Sequence, residues 1–122
     1  MEYKLEAMCL SVGKVEAMRD FYAGVFDIEF TGEEVQGHTI YSGRFSGLDL
    51  ALVPSALTGV EAGQNPTHYD VYVSDLEAGI ERVERHGGRT NGRLGEDDHE
   101  RAIGVFDPDG NFMVLKQRKG GC

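Results

Sequence analysis

Histidine, aspartate and tyrosine alternate along one strand-like run in the second half of the chain. Residues 68–73 read His-Tyr-Asp-Val-Tyr-Val, and side chains two positions apart on a strand lie on the same face. His68, Asp70 and Tyr72 therefore share a face, where an imidazole that titrates near neutrality can form hydrogen bonds or transfer a proton. Alternatively, Asp70, Tyr72 or a backbone group satisfies the His68 ring and gives it no further role. The sequence leaves both interpretations open.

Other polar side chains that could contact a ligand or take part in catalysis are scattered along the sequence. His38, Tyr41 and Arg101 fall on predicted strands, where each could contact a ligand. His99 lies in the acidic segment 95–100, which we interpret as a solvated loop in preference to a cation site. The basic segment 116–119 is most simply a solvated end. The sequence contains no nucleophile elbow, phosphate-binding loop or dinucleotide fingerprint.

Composition narrows the classes of partner. The chain carries 12 basic and 21 acidic residues, a net charge of -9, which disfavours nucleic acid and anionic membranes and permits a cationic ligand. No apolar run approaches the length of a membrane span, and the first residues lack a signal-peptide pattern. Cys9 and Cys122 have no disulfide or metal-ligand spacing. We therefore expect a single cytoplasmic domain.

The first half of the chain predicts a strand, a helix and three more strands. Apolar residues alternate within residues 5–12 and recur at helical spacing from Val15 to Phe26. The further predicted strands are Ile28–Phe30, Gly37–Phe45 and Leu48–Val53. Residues 54–66 are rich in turn formers and predict a connecting loop.

The same order of elements then restarts at His68. A strand over 68–73 precedes a helix with Ser74 as N-cap and Glu77 as its capping-box partner. The helix carries apolar residues at 76, 80 and 83 and ends at 86–88, where glycines allow a left-handed cap. Three more strands are predicted at 89–94, 101–106 and 112–117, the last two joined by a tight turn over 107–111. The halves thus repeat a pattern with little sequence identity.

These motifs together resemble the vicinal oxygen chelate superfamily, which includes glyoxalases, extradiol dioxygenases, and bleomycin- and fosfomycin-resistance proteins. The resemblance covers essentially the whole chain and is carried by Val12 with residues 18–22, by 68–75, by 86–88 and by 107–111. It implies an α+β fold of one domain, 1–122, with two βαβββ modules at about 5–53 and 67–117. Their curved sheets would close around a cavity, usually completed by a second subunit, so we expect a homodimer.

The resemblance also implies four metal-ligand positions, at the start of each first strand and on each last strand. The equivalent residues here are Ala7, Ala51, His68 and Val114, where the family pattern wants His, Glu or Gln. Alanine and valine have no lone pair to donate, and catalytic metal sites generally need three protein ligands. We therefore expect no metal and no other cofactor there, with His68 the remainder of the ligand set.

The side chains that share these strand faces predict a mostly apolar pocket for a small organic molecule. The predicted ligand-binding residues are His68, Asp70, Tyr72, Cys9, Asp49, Phe112 and Arg101. The preferred hypothesis is a metal-free binding protein, with resistance by sequestration as the family example. The absence of tryptophan argues against sequestration of a planar drug. The alternative is a lyase, isomerase or dioxygenase of this superfamily, metal-dependent or with His68 as catalytic acid or base.

Overall fold

The chain divides into two compact units, Met1–Ala62 and Gly63–Cys122. The computed structural model describes residues 1–2, 4–61, 63 and 68–120. Each unit contains its own sheet, covered on one side by its own longer helix. The predicted start of the second module, residue 67, lies outside the described residues, as does Cys122.

The first unit has the order strand, helix, strand, strand, strand, followed by a short helix. Its elements are β1 (Ala7–Val12), α1 (Val15–Phe26), β2 (Thr31–Val35), β3 (His38–Phe45), β4 (Leu48–Pro54) and α2 (Ser55–Thr58). The sheet order is β1-β4-β3-β2, with β1 parallel to β4 and the other pairs antiparallel. The predicted bounds of α1 are confirmed.

Apolar side chains on one face of this sheet form the core with α1. The helix buries Met18, Phe21, Tyr22 and Val25, whose spacing follows one helical stripe. On the sheet, the buried residues that alternate along β1 and β4 are Leu10, Val12, Leu50 and Leu52. The intervening residues therefore point to the opposite face.

The second unit repeats this plan. Its elements are β5 (Tyr69–Tyr72), α3 (Leu76–Arg85), β6 (Arg89–Thr90), β7 (Gly95–Glu96), β8 (Glu100–Phe106) and β9 (Phe112–Arg118). The order is β5-β9-β8-β6, with β7 paired to another part of β8 and β5 parallel to β9. Leu76 and Val83 of α3 are fully buried, as are Met113 and Leu115 of β9.

Two predicted strands are corrected by the structure. Residues 28–30 precede β2 and do not belong to a strand. The apolar side chain of Ile28 is instead buried against Gly43 of β3. The predicted strand 89–94 stops at Thr90, because Thr90 Oγ1 and Asn91 Oδ1 accept hydrogen bonds from backbone N–H groups two residues further on. Such local side-chain bonds compete with strand pairing.

The predicted loop 54–66 and the predicted N-cap are also corrected. The loop contains α2, which is tied to β1 because Ser11 Oγ lies 2.7 Å from Thr58 Oγ1 and donates to the Val60 carbonyl at 2.6 Å. The N-cap of α3 is Asp75, not Ser74, since the Asp75 carboxylate accepts the Ala78 N–H at 3.1 Å. Aspartate and serine cap helices about equally well, so residue type alone did not choose between neighbours.

The turn between β8 and β9 forms as predicted and is held by a buried carboxylate. Asp107 Oδ1 accepts the backbone N–H groups of Asp109 and Asn111 at 3.0 and 2.9 Å, and its Oδ2 accepts the Asn111 side-chain amide at 3.0 Å. Gly110 has φ 94°, which glycine adopts without a steric penalty. The turn fixes the pairing of Phe106 with Phe112.

Candidate functional site

Each sheet has an open face, which we define as the face opposite α1 in the first unit and α3 in the second. On the second unit's open face, aromatic rings form a row across the strands. The His68 ring meets Phe112 with centroids 5.0 Å apart, Phe112 meets Phe106 at 5.3 Å, and Arg89 Cζ lies 4.0 Å from the centre of the Phe106 ring. His68 is exposed and the two phenylalanines are half-buried. This aromatic row offers a ligand flat apolar contacts and an imidazole.

The orientation of the Phe112 ring depends on Gly104. Gly104 is the partner of Val114 in the β8–β9 pairing and is buried. A Cβ at Gly104 would lie 2.5 Å from Phe112 Cε1 and 2.7 Å from its Cζ. The ring therefore lies directly over the glycine backbone, which any larger residue would obstruct.

A charged cluster lies further along the same face. Lys116 Nζ lies 3.2 Å from Asp70 Oδ2 and 3.2 Å from Glu100 Oε2. The hydrogen bonds to Glu100 and then Asp70 raise the pKa of Lys116. The Tyr72 hydroxyl donates to Glu100 Oε1 at 3.3 Å, and Arg118 Cζ lies 3.8 Å from the centre of the Tyr72 ring.

The interpretation of residues 116–119 as a solvated end is therefore wrong for its first part. Lys116 is 20% exposed and both Lys116 and Arg118 belong to β9. Sequence reasoning missed Arg118 and Glu100 as members of this face. The period-two alternation of β9, extended beyond residue 117, would have placed Arg118 beside Lys116.

Both side chains predicted to satisfy the His68 ring have other partners in the structure. Asp70 pairs with Lys116, and Tyr72 donates to Glu100. Among the described residues, no hydrogen bond to the His68 side chain is found; its contact is the edge-on one with Phe112. The imidazole is thus available to a ligand.

The first unit's open face carries small side chains. Ala7 and Cys9 of β1 lie opposite Asp49 and Ala51 of β4. They border a shallow pocket of about 280 Å³. Asp49 accepts a hydrogen bond from Arg44 at 2.6 Å, so its carboxylate is already paired.

Arg101 and Tyr41 are not brought together with these residues. The Arg101 guanidinium donates to both Glu77 carboxylate oxygens at 3.1 and 2.6 Å, so it lies on the α3 side of its sheet. The Tyr41 hydroxyl donates to Glu16 at 2.7 Å, on the α1 side. His38 is the β3 partner of Val35, at the far end of the first sheet.

In the acidic segment 95–100, the Asp97 carboxylate stabilises a turn of the backbone. Asp97 Oδ1 accepts the backbone N–H groups of His99 and Glu100 at 2.7 and 2.9 Å. These bonds lower the pKa of Asp97. The predicted loop over 95–100 is therefore corrected at both ends, since Gly95–Glu96 forms β7 and Glu100 begins β8.

Comparison with known proteins places this architecture in a family. The glyoxalase-like domain family matches residues 7–115. The chain belongs to that family. The predicted resemblance and the α+β fold with two curved sheets are therefore confirmed. A search of curated proteins gives no match.

Several solved structures have the same fold, and their alignments cover nearly the whole of this chain. A glyoxalase-related enzyme from Fulvimarina pelagi is 19% identical, with 93% of this chain and 87% of that one covered and a TM-score of 0.72. A glyoxalase/bleomycin resistance protein/dioxygenase from Nocardioides is 22% identical, with coverage of 99% and 87% and a TM-score of 0.69. The fosfomycin resistance protein FosX from Mesorhizobium loti is 20% identical, with coverage of 96% and 93% and a TM-score of 0.72. At these identities the likeness shows the fold alone.

The resemblance predicts metal ligands at Ala7, Ala51, His68 and Val114. Three of these four side chains, those of Ala7, Ala51 and Val114, have no donor atom, so the predicted set does not fit a divalent cation. Ala7 is opposite Asp49 in the first sheet, and the register of the second sheet places His68 beside Phe112 and Asp70 opposite Val114. The paired positions are thus equivalent in the two units. Over the described part of the chain, no three His, Cys, Asp or Glu side chains come together to hold a metal ion.

Within the same residues, no helix is long and apolar enough to cross a membrane.

Proposed function

We propose that this glyoxalase-like protein binds a small organic molecule without a divalent metal, and that the aromatic row of the second unit provides the main contact surface. The observation that carries the proposal is the combination of donor-free side chains at Ala7, Ala51 and Val114 with the row formed by the exposed His68 and the half-buried Phe112 and Phe106. At three of the four positions where the resemblance predicts metal ligands, this chain has apolar side chains, and the fourth is His68. Aromatic surface with a few polar groups is typical of organic-ligand sites.

The chemistry of the row supports a ligand with a flat apolar part. Aromatic side chains bind such groups through burial of apolar area and through offset or edge-on ring contacts. His68 stands at one end of the row with its ring nitrogens available, so it can form a hydrogen bond with a polar atom of the ligand. Cys9, Asp49 and Asp70 remain predicted ligand contacts from the sequence.

The proposal includes a homodimer, which the family resemblance supports and which is the commonest closed assembly. Sedimentation or light scattering should give twice the mass of the 13.4 kDa chain. A monomer at micromolar concentration would remove this part of the proposal and leave ligand binding untouched.

A second candidate function is favoured by the availability of the His68 imidazole. An imidazole that has no side-chain hydrogen-bond partner within the described residues can act as a general base. In that case the protein is a metal-free enzyme of the same family. Turnover of a bound compound that His68→Ala abolishes, while binding persists, would favour this candidate over a binding protein.

The test combines metal analysis with ligand screening on untagged protein. Elemental analysis, followed by titration with Zn, Ni, Mn and Fe(II), should show no tightly held metal and no thermal shift. A panel of small aromatic compounds should include some that raise the melting temperature, since a ligand at about 100 times its Kd stabilises by about 2.7 kcal/mol. Phe112→Ala should abolish that shift, whereas His99→Ala, in the exposed turn, should retain it. One metal bound tightly per chain would overturn the proposal.

A further inference from the structure

The charged cluster beside the aromatic row indicates the chemistry of the ligand. We propose that the ligand is an organic carboxylate with an aromatic or similarly flat apolar body, and that Arg118 and Lys116 bind its carboxylate. The inference rests on the proposed function, because the aromatic row is taken as the surface for the apolar body. It differs from the expectation based on net charge, which permitted a cationic ligand.

Arg118 provides the stronger argument. Its guanidinium lies over the Tyr72 ring at 3.8 Å, and within the described residues it has neither an ion pair nor a hydrogen bond. Tyr72 is itself 41% exposed, so the pair faces outward. A guanidinium stacked on a ring keeps its planar set of N–H donors in one orientation, and that geometry matches a carboxylate with two parallel hydrogen bonds.

Lys116 is the second donor, and it pairs with both acidic residues of the cluster, Asp70 and Glu100. Its ammonium group has three N–H donors, and the carboxylates of Asp70 and Glu100 each lie 3.2 Å away. The charges of Asp70, Glu100, Lys116 and Arg118 sum to zero, so the cluster is locally neutral in a chain with a net charge of -9. One Lys116 donor and the Arg118 donors remain for an incoming anion, while Asp70 and Glu100 are already paired.

The strand geometry predicts the distance between the two ends of the ligand. Phe112, Val114 and Lys116 lie on the same face of β9, and a strand rises about 3.3 Å per residue. The Phe112 and Lys116 backbones are thus roughly 13 Å apart, and Val114 and Lys116 roughly 7 Å. A ligand that contacts Phe112 and the charged cluster together needs several bonds between its ring and its carboxylate.

The experiment compares phenylalkanoates of increasing length with neutral and cationic analogues. Benzoate, 4-phenylbutyrate and 6-phenylhexanoate would be titrated by calorimetry, beside the amide and the amine of the best acid. We expect the longer acids to bind more tightly than benzoate, and the acid more tightly than its amide and its amine. Added salt should weaken binding of the acid more than binding of the neutral amide, because salt screens the attraction between exposed charges.

Variants test the assigned residues directly. Arg118→Gln should weaken binding of the acid roughly tenfold or more, the effect of losing a charged hydrogen-bond donor, and Arg118→Lys should restore part of it. Arg85→Gln is the matched control, since Arg85 lies on α3 and pairs with Glu81. Both arginines are exposed, so these changes leave the core intact.

The outcomes separate the two proposals. If amide or amine binds as tightly as the acid, or if Arg118→Gln matches Arg85→Gln, the carboxylate inference is wrong and the aromatic site stands. If none of these compounds binds and none of the wider aromatic panel does, the proposed function fails together with this inference. Binding of acids that Phe112→Ala leaves unchanged would retain Arg118 as an anion site but remove the aromatic row from it.

Discussion

Substitution of Gly104 by alanine tests whether the Phe112 ring lies where the candidate site needs it. The new Cβ would stand 2.5 Å from Phe112 Cε1, whereas carbon atoms in good contact are about 3.5–4.0 Å apart. The overlap of roughly 1 Å requires the ring to leave its position over the backbone. Asn91 Nδ2, also 2.5 Å from the added atom, sits at the end of a flexible side chain and can move more easily.

The expected cost of Gly104→Ala follows from this overlap. Overpacking by a methyl group typically destabilises a protein by about 1–3 kcal/mol. At roughly 4 °C per kcal/mol, the melting temperature should fall by about 4–12 °C. Binding of any ligand that uses the aromatic row should weaken as well, because the displaced ring no longer lies beside His68 and Phe106.

The assay is thermal or urea unfolding of a double-mutant cycle with Phe112→Ala, with Gly95→Ala as control. A Cβ at Gly95 would meet only the Ala102 carbonyl at 3.8 Å, so that control should change stability by less than about 0.5 kcal/mol. In the Phe112→Ala background, Gly104→Ala should cost much less than in the native chain, with a coupling energy of about 0.5–3 kcal/mol. Equal costs in both backgrounds would refute the placement of the ring.

Three further predictions concern the scaffold. Asp75→Ala should cost about 1 kcal/mol by loss of the α3 N-cap, with Ser74→Ala close to neutral in the same urea titration; the reverse order would contradict the assigned cap. Gly43→Ala should cost more than Gly104→Ala, because its Cβ would lie 2.9 Å from the backbone carbonyl oxygen of residue 29 as well as 2.6 Å from an Ile28 methyl carbon; unchanged stability would contradict the packing over Gly43. The hydrogen bond from Arg101 lowers the pKa of Glu77, so its stabilisation is present above the unfolded value near 4.5 and is lost as the pH falls through the folded pKa. The stability difference from Glu77→Gln should therefore shrink below pH 4.5, and a difference constant from pH 7 to about 3 would contradict it.

Much of the fold was predictable because its signals are local and repeat. The α1 stripe lies within one helix, and the turn over 107–111 contains both the carboxylate and the glycine that its geometry requires. The predicted strand at residues 28–30 is wrong because its buried apolar residue serves a contact outside its own segment. Ile28 looked like a strand residue because it is apolar, but its burial comes from β3. Nothing in a segment of three residues distinguishes those two causes.

The candidate site was harder to predict than the fold, because the two faces of each sheet are under different physical constraints. The helix-side positions stay apolar in both units, as Leu50 and Leu52 correspond to Met113 and Leu115, and all four are buried. The open-face position between each pair is only half-buried and differs between the units, with Ala51 in one and Val114 in the other. The repeat therefore reveals which residues face the helices but not what the open faces bind. Membership of that face follows from alternation, whereas the pairing of Lys116 with Glu100 depends on a register between β8 and β9 that the turn sets. Arg118 could have been assigned to this face by alternation along β9, whereas its contact with the Tyr72 ring depends on the pairing of β9 with β5, which no single segment of sequence contains.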